Sequence, residues 1–195
     1  MPYLSVNTAR RLIPLSLLMA TFFSGSVDAR EVAPVRVVAD HHLHLNSPAM
    51  TEFLATECEV APGRKCLDRS KAPLTAANLI AAMDHAGIKH GLLVSTAYFA
   101  ESIFIKPPSA NGPAVLRASN DYTVAVARAY PARLKALVGI NPLTATALPE
   151  IERWRSDRHV VGIKLHLANS GFDFRKPGDV AKLAEVFRAA ARTAW

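Results

Sequence analysis

Val37-Val38-Ala39-Asp40-His41-His42-Leu43-His44-Leu45, the stretch VVADHHLHL, sets three histidines into a run that otherwise reads as a buried strand. Alternation along the strand Val35 to Leu45 puts Asp40, His42 and His44 on one face, with Ala39, His41 and Leu43 on the other. If the strand is parallel, the first set converges at its carboxyl end, where α/β proteins place their chemistry. An H-x-H pair aims two imidazoles at one point, a geometry that zinc and similar divalent ions accept. The competing reading is a pair of hydrogen-bonded core histidines, and burying two polar rings beside a carboxylate is costly without a partner charge. His41 points away and is expected to pack under the following helix.

Outward from that strand the chain alternates. A polar connection over residues 46–72 leads to a helix from Pro73 to His85, with Thr75 as N-cap, Leu79, Ile80 and Met83 as its apolar stripe, and Gly87 at its end. Strands follow at Gly91–Ser95, Leu134–Ile140 and Val160–Leu167. Helices are expected at Ala114–Tyr130 (stopped by Pro131), Leu148–Arg158 and Asp179–Trp195. Near-continuous apolar strands separated by helices mean parallel strands and four βα units. The fold class is α/β, either an open doubly wound sheet or part of a (β/α)8 barrel.

The fourth strand, VVGIKLHLAN, places Lys164 and His166 on one face and Ile163, Leu165 and Leu167 on the other. Lys164 reads as a cationic substrate clamp, a solvent-reaching lysine or a carbamylated metal bridge. His166 reads as a residue that orients substrate or shuttles a proton. His85, His90 and His159 lack such company and are expected at the surface. In the loop over residues 97–112, Tyr98, Phe99, Phe104 and Lys106 either meet an aromatic or anionic substrate or are simply solvated.

Of the 195 residues, half are hydrophobic and a fifth charged, which is globular composition. The formal charge of +7 comes from scattered residues such as Arg128, Arg133, Lys135, Arg153, Arg155, Arg158, Arg188 and Arg192, near helix ends and turns. No basic stripe interleaved with aromatics marks a nucleic-acid surface. Residues 1–29 read as a secretory signal peptide: Arg10 and Arg11, a short apolar run from Leu12 to Phe23, then small residues around Val27 and Ala29. The run is short for a bilayer span, and an uncleaved anchor is the alternative. The mature domain, residues 30–195, would then be periplasmic or secreted, without a membrane segment. Export favours a disulfide between Cys58 and Cys66 over half of a zinc site.

The segments ADHHLHL, LIAAMDHAGIKHGLLVS, ASNDYTVAVARAYPARLKALVGINPL and VVGIKLHLAN, in that order, resemble the amidohydrolase superfamily. They are most similar to its amidohydrolase-related branch, which includes aminocarboxymuconate-semialdehyde decarboxylase-like enzymes. The resemblance covers about residues 35–190 and implies a metal-dependent (β/α)8 barrel that hydrolyses, or in some lineages decarboxylates, a small molecule. It implies that His42 and His44 are metal ligands, with zinc the expected ion. The family's next metal histidine lies at the end of a fifth strand and its catalytic aspartate at the end of an eighth. The expectation is therefore the N-terminal half of such a barrel, either part of an exported hydrolase or a non-catalytic half-barrel. Its open sheet edges are expected to favour self-association, and the chain alone to be inactive.

Overall fold

The computed structural model describes residues 36–59 and 74–195. Its elements run β1 (Ala39–Leu43), α1 (Pro48–Glu59), α2 (Ala76–His85), β2 (His90–Val94), a 3-10 turn (Ala97–Glu101), α3 (Gly112–Ala129), β3 (Leu134–Ile140), α4 (Ala147–Trp154), β4 (Val160–Leu165), α5 (Leu167–Ser170) and α6 (Pro177–Ala190). The strands form one parallel sheet in the order β1-β2-β3-β4.

That order decides between the two architectures left open by the strand pattern. A doubly wound sheet needs a reversal of strand order, which moves later helices to the second face. Here every strand pairs with the next in sequence, so crossovers of one hand put every helix on the same side. The core agrees. Leu134, Ala136 and Val138 of β3 pack with Met83 of α2, Val124 and Ala127 of α3 and Trp154 of α4. Ile140 packs with Ile151 of α4 and Val186 of α6. A singly wound sheet with helices on one face is the arc of a (β/α)8 barrel.

Local chemistry sets the bounds of α2. Thr75 caps α2 through a capping box: its Oγ1 accepts from the Asn78 amide at 3.2 Å, and the Asn78 side chain accepts from the Thr75 amide at 3.0 Å. Gly87 ends that helix at φ +75°, a conformation that costs a glycine nothing. Thr75→Ala is expected to lower stability by about 1 kcal/mol, read by urea unfolding. A change below a few tenths of that would mean that the first turn of α2 frays without cost to the domain.

One connection differs from expectation. The stretch after β1 contains α1, which begins at Ser47-Pro48: Pro48 occupies the first turn, and Ser47 Oγ accepts from the Met50 amide at 2.9 Å. Met50 and Phe53 then pack with Ala97, Ala100, Val115 and Leu116. Cys58, near the end of α1, is disulfide-bonded, whereas Cys66 lies outside the described residues, as does the signal-like segment 1–29. Among the described residues no helix is long and apolar enough to cross a membrane.

Candidate functional site

The strand ends β1, β2 and β4 bring the chemistry-bearing residues to one edge of the sheet. In β1 the register runs from Asp40 opposite Gly91 to Leu43 opposite Leu93, an irregularity in which three residues of β1 span two of β2. Alternation therefore fails at the point where it was used to group Asp40 with the histidines. The Asp40 carboxylate instead turns back to accept from the His42 amide at 2.8 Å. His41 is exposed rather than packed under a helix.

His42 and His44 do converge. Their Nε2 atoms stand 3.0 Å apart, with ring centroids at 4.8 Å and planes at 71°. His44 Nδ1 lies 2.7 Å from the carbonyl oxygen of Val94, the last residue of β2. A carbonyl only accepts, so Nδ1 carries the proton and His44 Nε2 presents a lone pair towards His42. Two imidazole nitrogens about 2.0–2.1 Å from one ion sit roughly 2.9–3.4 Å apart for angles between a right angle and tetrahedral. The pair thus fits adjacent corners of a metal site, and the Val94 carbonyl orients His44 as outer partners of metal-bound imidazoles do. Among the described residues no group of three or more His, Cys, Asp or Glu side chains gathers for a metal.

The sequence left Tyr98 between a substrate contact and a solvated loop residue, and the structure buries it to 7% exposure. Its ring stacks on His166 at 5.3 Å and 24°. Burial pushes its phenol above the ordinary value, so the hydroxyl stays protonated at neutral pH. What lets Tyr98 reach His166 is Gly139. A Cβ there would lie 2.8 Å from Ser95 O and 3.3 Å from Tyr98 N, so the turn after β2 lies directly against β3. Lys164 is in register with Gly139 and half-buried, on the same side of the sheet as that turn. Phe104 and Lys106 are exposed.

Sequence reasoning missed the support beneath this edge. Asn120 of α3 donates to Gly139 O at 3.0 Å and accepts from Gly139 N at 2.9 Å, taking the place of a strand partner beyond the end of β2. The same amide donates to the buried Glu150, which also holds Arg153. Arg153, read from the sequence as one of the scattered cations near helix ends and turns, lies over the Trp154 ring at 4.2 Å and pairs with Asp121. His159, expected at the surface, is largely buried beside Asp157 at 3.2 Å. Burial alone would raise the Asp157 carboxyl, but the His159 amide and the Arg128 guanidinium outweigh it and hold it below its ordinary value.

No protein-family model matches the chain, and no curated protein sequence does. Solved structures match its fold. 5-Carboxyvanillate decarboxylase from Novosphingobium aromaticivorans, with bound manganese and 3-methoxy-4-hydroxy-5-nitrobenzoic acid, aligns at TM-score 0.60 and 15% identity over 82% of this chain and 48% of its own. The likeness is one of fold: the four βα units align with under half of a (β/α)8 barrel. 5-Carboxyvanillate decarboxylase from Sphingomonas paucimobilis aligns at TM-score 0.60 and 18% identity, over 80% of this chain and 49% of its own. 2,6-Dihydroxybenzoate decarboxylase from Rhizobium aligns at TM-score 0.50 and 18% identity, over 79% and 47% respectively. The chain spans about half the length of each of these structures. The sequential parallel sheet, one of the two arrangements that the strand pattern left open, is thus the one found in known barrels.

Proposed function

We propose that this chain carries the metal-binding edge of an enzyme that uses a divalent cation to act on a small carboxylic acid. One observation carries the reading: two imidazole Nε2 atoms 3.0 Å apart, one of them fixed as a lone pair by the Val94 carbonyl. His42 and His44 would hold the ion, manganese or zinc. When bound, such an ion polarises an oxygen, stabilises developing negative charge and activates water. The chain's own residues supply the surroundings. Lys164 offers a cation for the substrate acid group, while Tyr98 gives a flat apolar wall against which His166 is held.

Both decarboxylation and hydrolysis fit this arrangement. The solved structures named above are 5-carboxyvanillate and 2,6-dihydroxybenzoate decarboxylases, which supports decarboxylation as a reading of equal standing with hydrolysis. Hydrolysis asks in addition for a carboxylate to take the proton of water, a role that the family resemblance gives to an aspartate at the end of an eighth strand rather than to Asp40. The disulfide at Cys58 supports export to an oxidising compartment behind a cleaved segment 1–29, which N-terminal sequencing of the secreted product would test by a start near Arg30.

The decisive measurement is metal content and affinity of the purified chain by equilibrium dialysis with Mn2+ and Zn2+. Either His42→Ala or His44→Ala should weaken binding at least about tenfold, and the double variant should abolish it. Equal metal in the double variant and the parent would sink the assignment.

A further inference from the structure

His166 does two jobs with one ring, and the first dictates the second. It is the N-cap of α5: the Asn169 backbone N–H donates to its Nδ1 at 3.2 Å. A backbone amide can only donate, so Nδ1 holds a lone pair and the neutral ring carries its proton on Nε2. The stacked Tyr98 ring covers one face of the imidazole. Nε2 has no partner among the described residues, and neither has the Lys164 ammonium two residues earlier. Lys164 lies in register with Gly139, against which the Ser95–Tyr98 turn packs, so Lys164 is on the side of the sheet where that turn carries Tyr98 to His166.

We propose that His166 is a fixed Nε2–H donor that, together with Lys164, binds the carboxylate of the substrate, and that it does not act as a general base. A base would have to present a lone pair where this ring presents a proton. One ammonium near the end of β4 and one N–H just beyond it suit the two oxygens of a planar acid, and charge-assisted bonds of this kind are the strong ones. The inference rests on reading this strand edge as an enzyme site, but not on the metal pair.

The test uses the full chain without metal, with 15N-labelled histidine and benzoate as the probe. The His166 signals should report a protonated Nε2 and a pyridine-type Nδ1, and benzoate should shift them. His166→Asn keeps a side-chain oxygen for the cap, but its shorter amide places no donor at the Nε2 position. It should retain the parent melting temperature and bind benzoate about tenfold more weakly, as should Lys164→Gln. A proton on Nδ1, no response of the parent chain to benzoate, or undiminished binding in both variants would each overturn the proposal. His166→Ala, which loses cap and donor together, should lower stability as well, separating the two jobs. Failure of His42 and His44 to bind metal would leave these outcomes unchanged, so the two readings fail separately.

Discussion

Glu150→Ala is expected to destabilise the domain by about 3–5 kcal/mol, the largest single-residue effect outside the apolar core. Glu150 is 4% exposed and accepts four hydrogen bonds: from Asn120 at 3.0 Å, from Arg153 Nε at 2.9 Å and a terminal nitrogen at 2.7 Å, and from Trp154 Nε1 at 3.3 Å. Truncation removes the acceptor but leaves the donors in place. The guanidinium keeps Asp121 and its stacking on Trp154, so it is not wholly stranded. Asn120 is the more sensitive neighbour, because it also holds both backbone groups of Gly139.

Asn120→Ala should therefore cost about 2–3 kcal/mol by itself, since it leaves two buried backbone groups and one carboxylate short of partners. The two residues share one network, so the double variant should cost less than the sum of the singles. Urea unfolding followed by circular dichroism reads all three. A loss below about 1 kcal/mol for Glu150→Ala would show that water reaches the carboxylate and that the network contributes little.

The parts of the fold that were legible in the sequence are those decided within a few residues. The bounds of β3 at Leu134 and Ile140 follow from an apolar run interrupted only by Lys135, and α2 follows from Thr75 and Gly87. The helix α1 was also legible in principle, since Ser47-Pro48 is a start signal, but the polar character of the following connection masked it. What could not be read were the consequences of register. The bulge between Asp40 and Leu43 depends on how β1 meets β2, and no alternation within β1 encodes it.

The same limit applies to the site. His42 and His44 were visible as a pair because H-x-H spacing carries its own geometry. The orienting Val94 carbonyl is 50 residues away, and the Tyr98–His166 stack joins the ends of β2 and β4 across β3. Arg153 looked like one of many scattered cations. Trp154 is its neighbour in α4, but its partner Asp121 comes from α3, and only the packing of α3 and α4 against β3 brings that carboxylate to it.

Gly139→Ala is expected to disturb the functional edge more than its single methyl suggests. The added Cβ would meet Ser95 O at 2.8 Å, Ala97 N at 3.2 Å and Tyr98 N at 3.3 Å. All three are backbone atoms, so none can yield by a change of rotamer. The turn after β2 would have to lift from β3, and Tyr98 would move away from His166 with it. Overpacking of this kind costs about 1–3 kcal/mol, with a further loss if the Asn120 clamp on the same residue loosens. Gly178→Ala is the control, because nothing lies within 4 Å of its Cβ position in α6. It should be neutral or stabilising by up to about 1 kcal/mol. The reading of the edge is tested by pairing unfolding with the His166 imidazole signals, which feel the stacked Tyr98 ring. Gly139→Ala should shift those signals even where the protein remains folded, whereas Gly178→Ala should not. Unchanged His166 signals in a folded Gly139→Ala protein would mean that the turn can move without Tyr98, and that Gly139 does not position the stack.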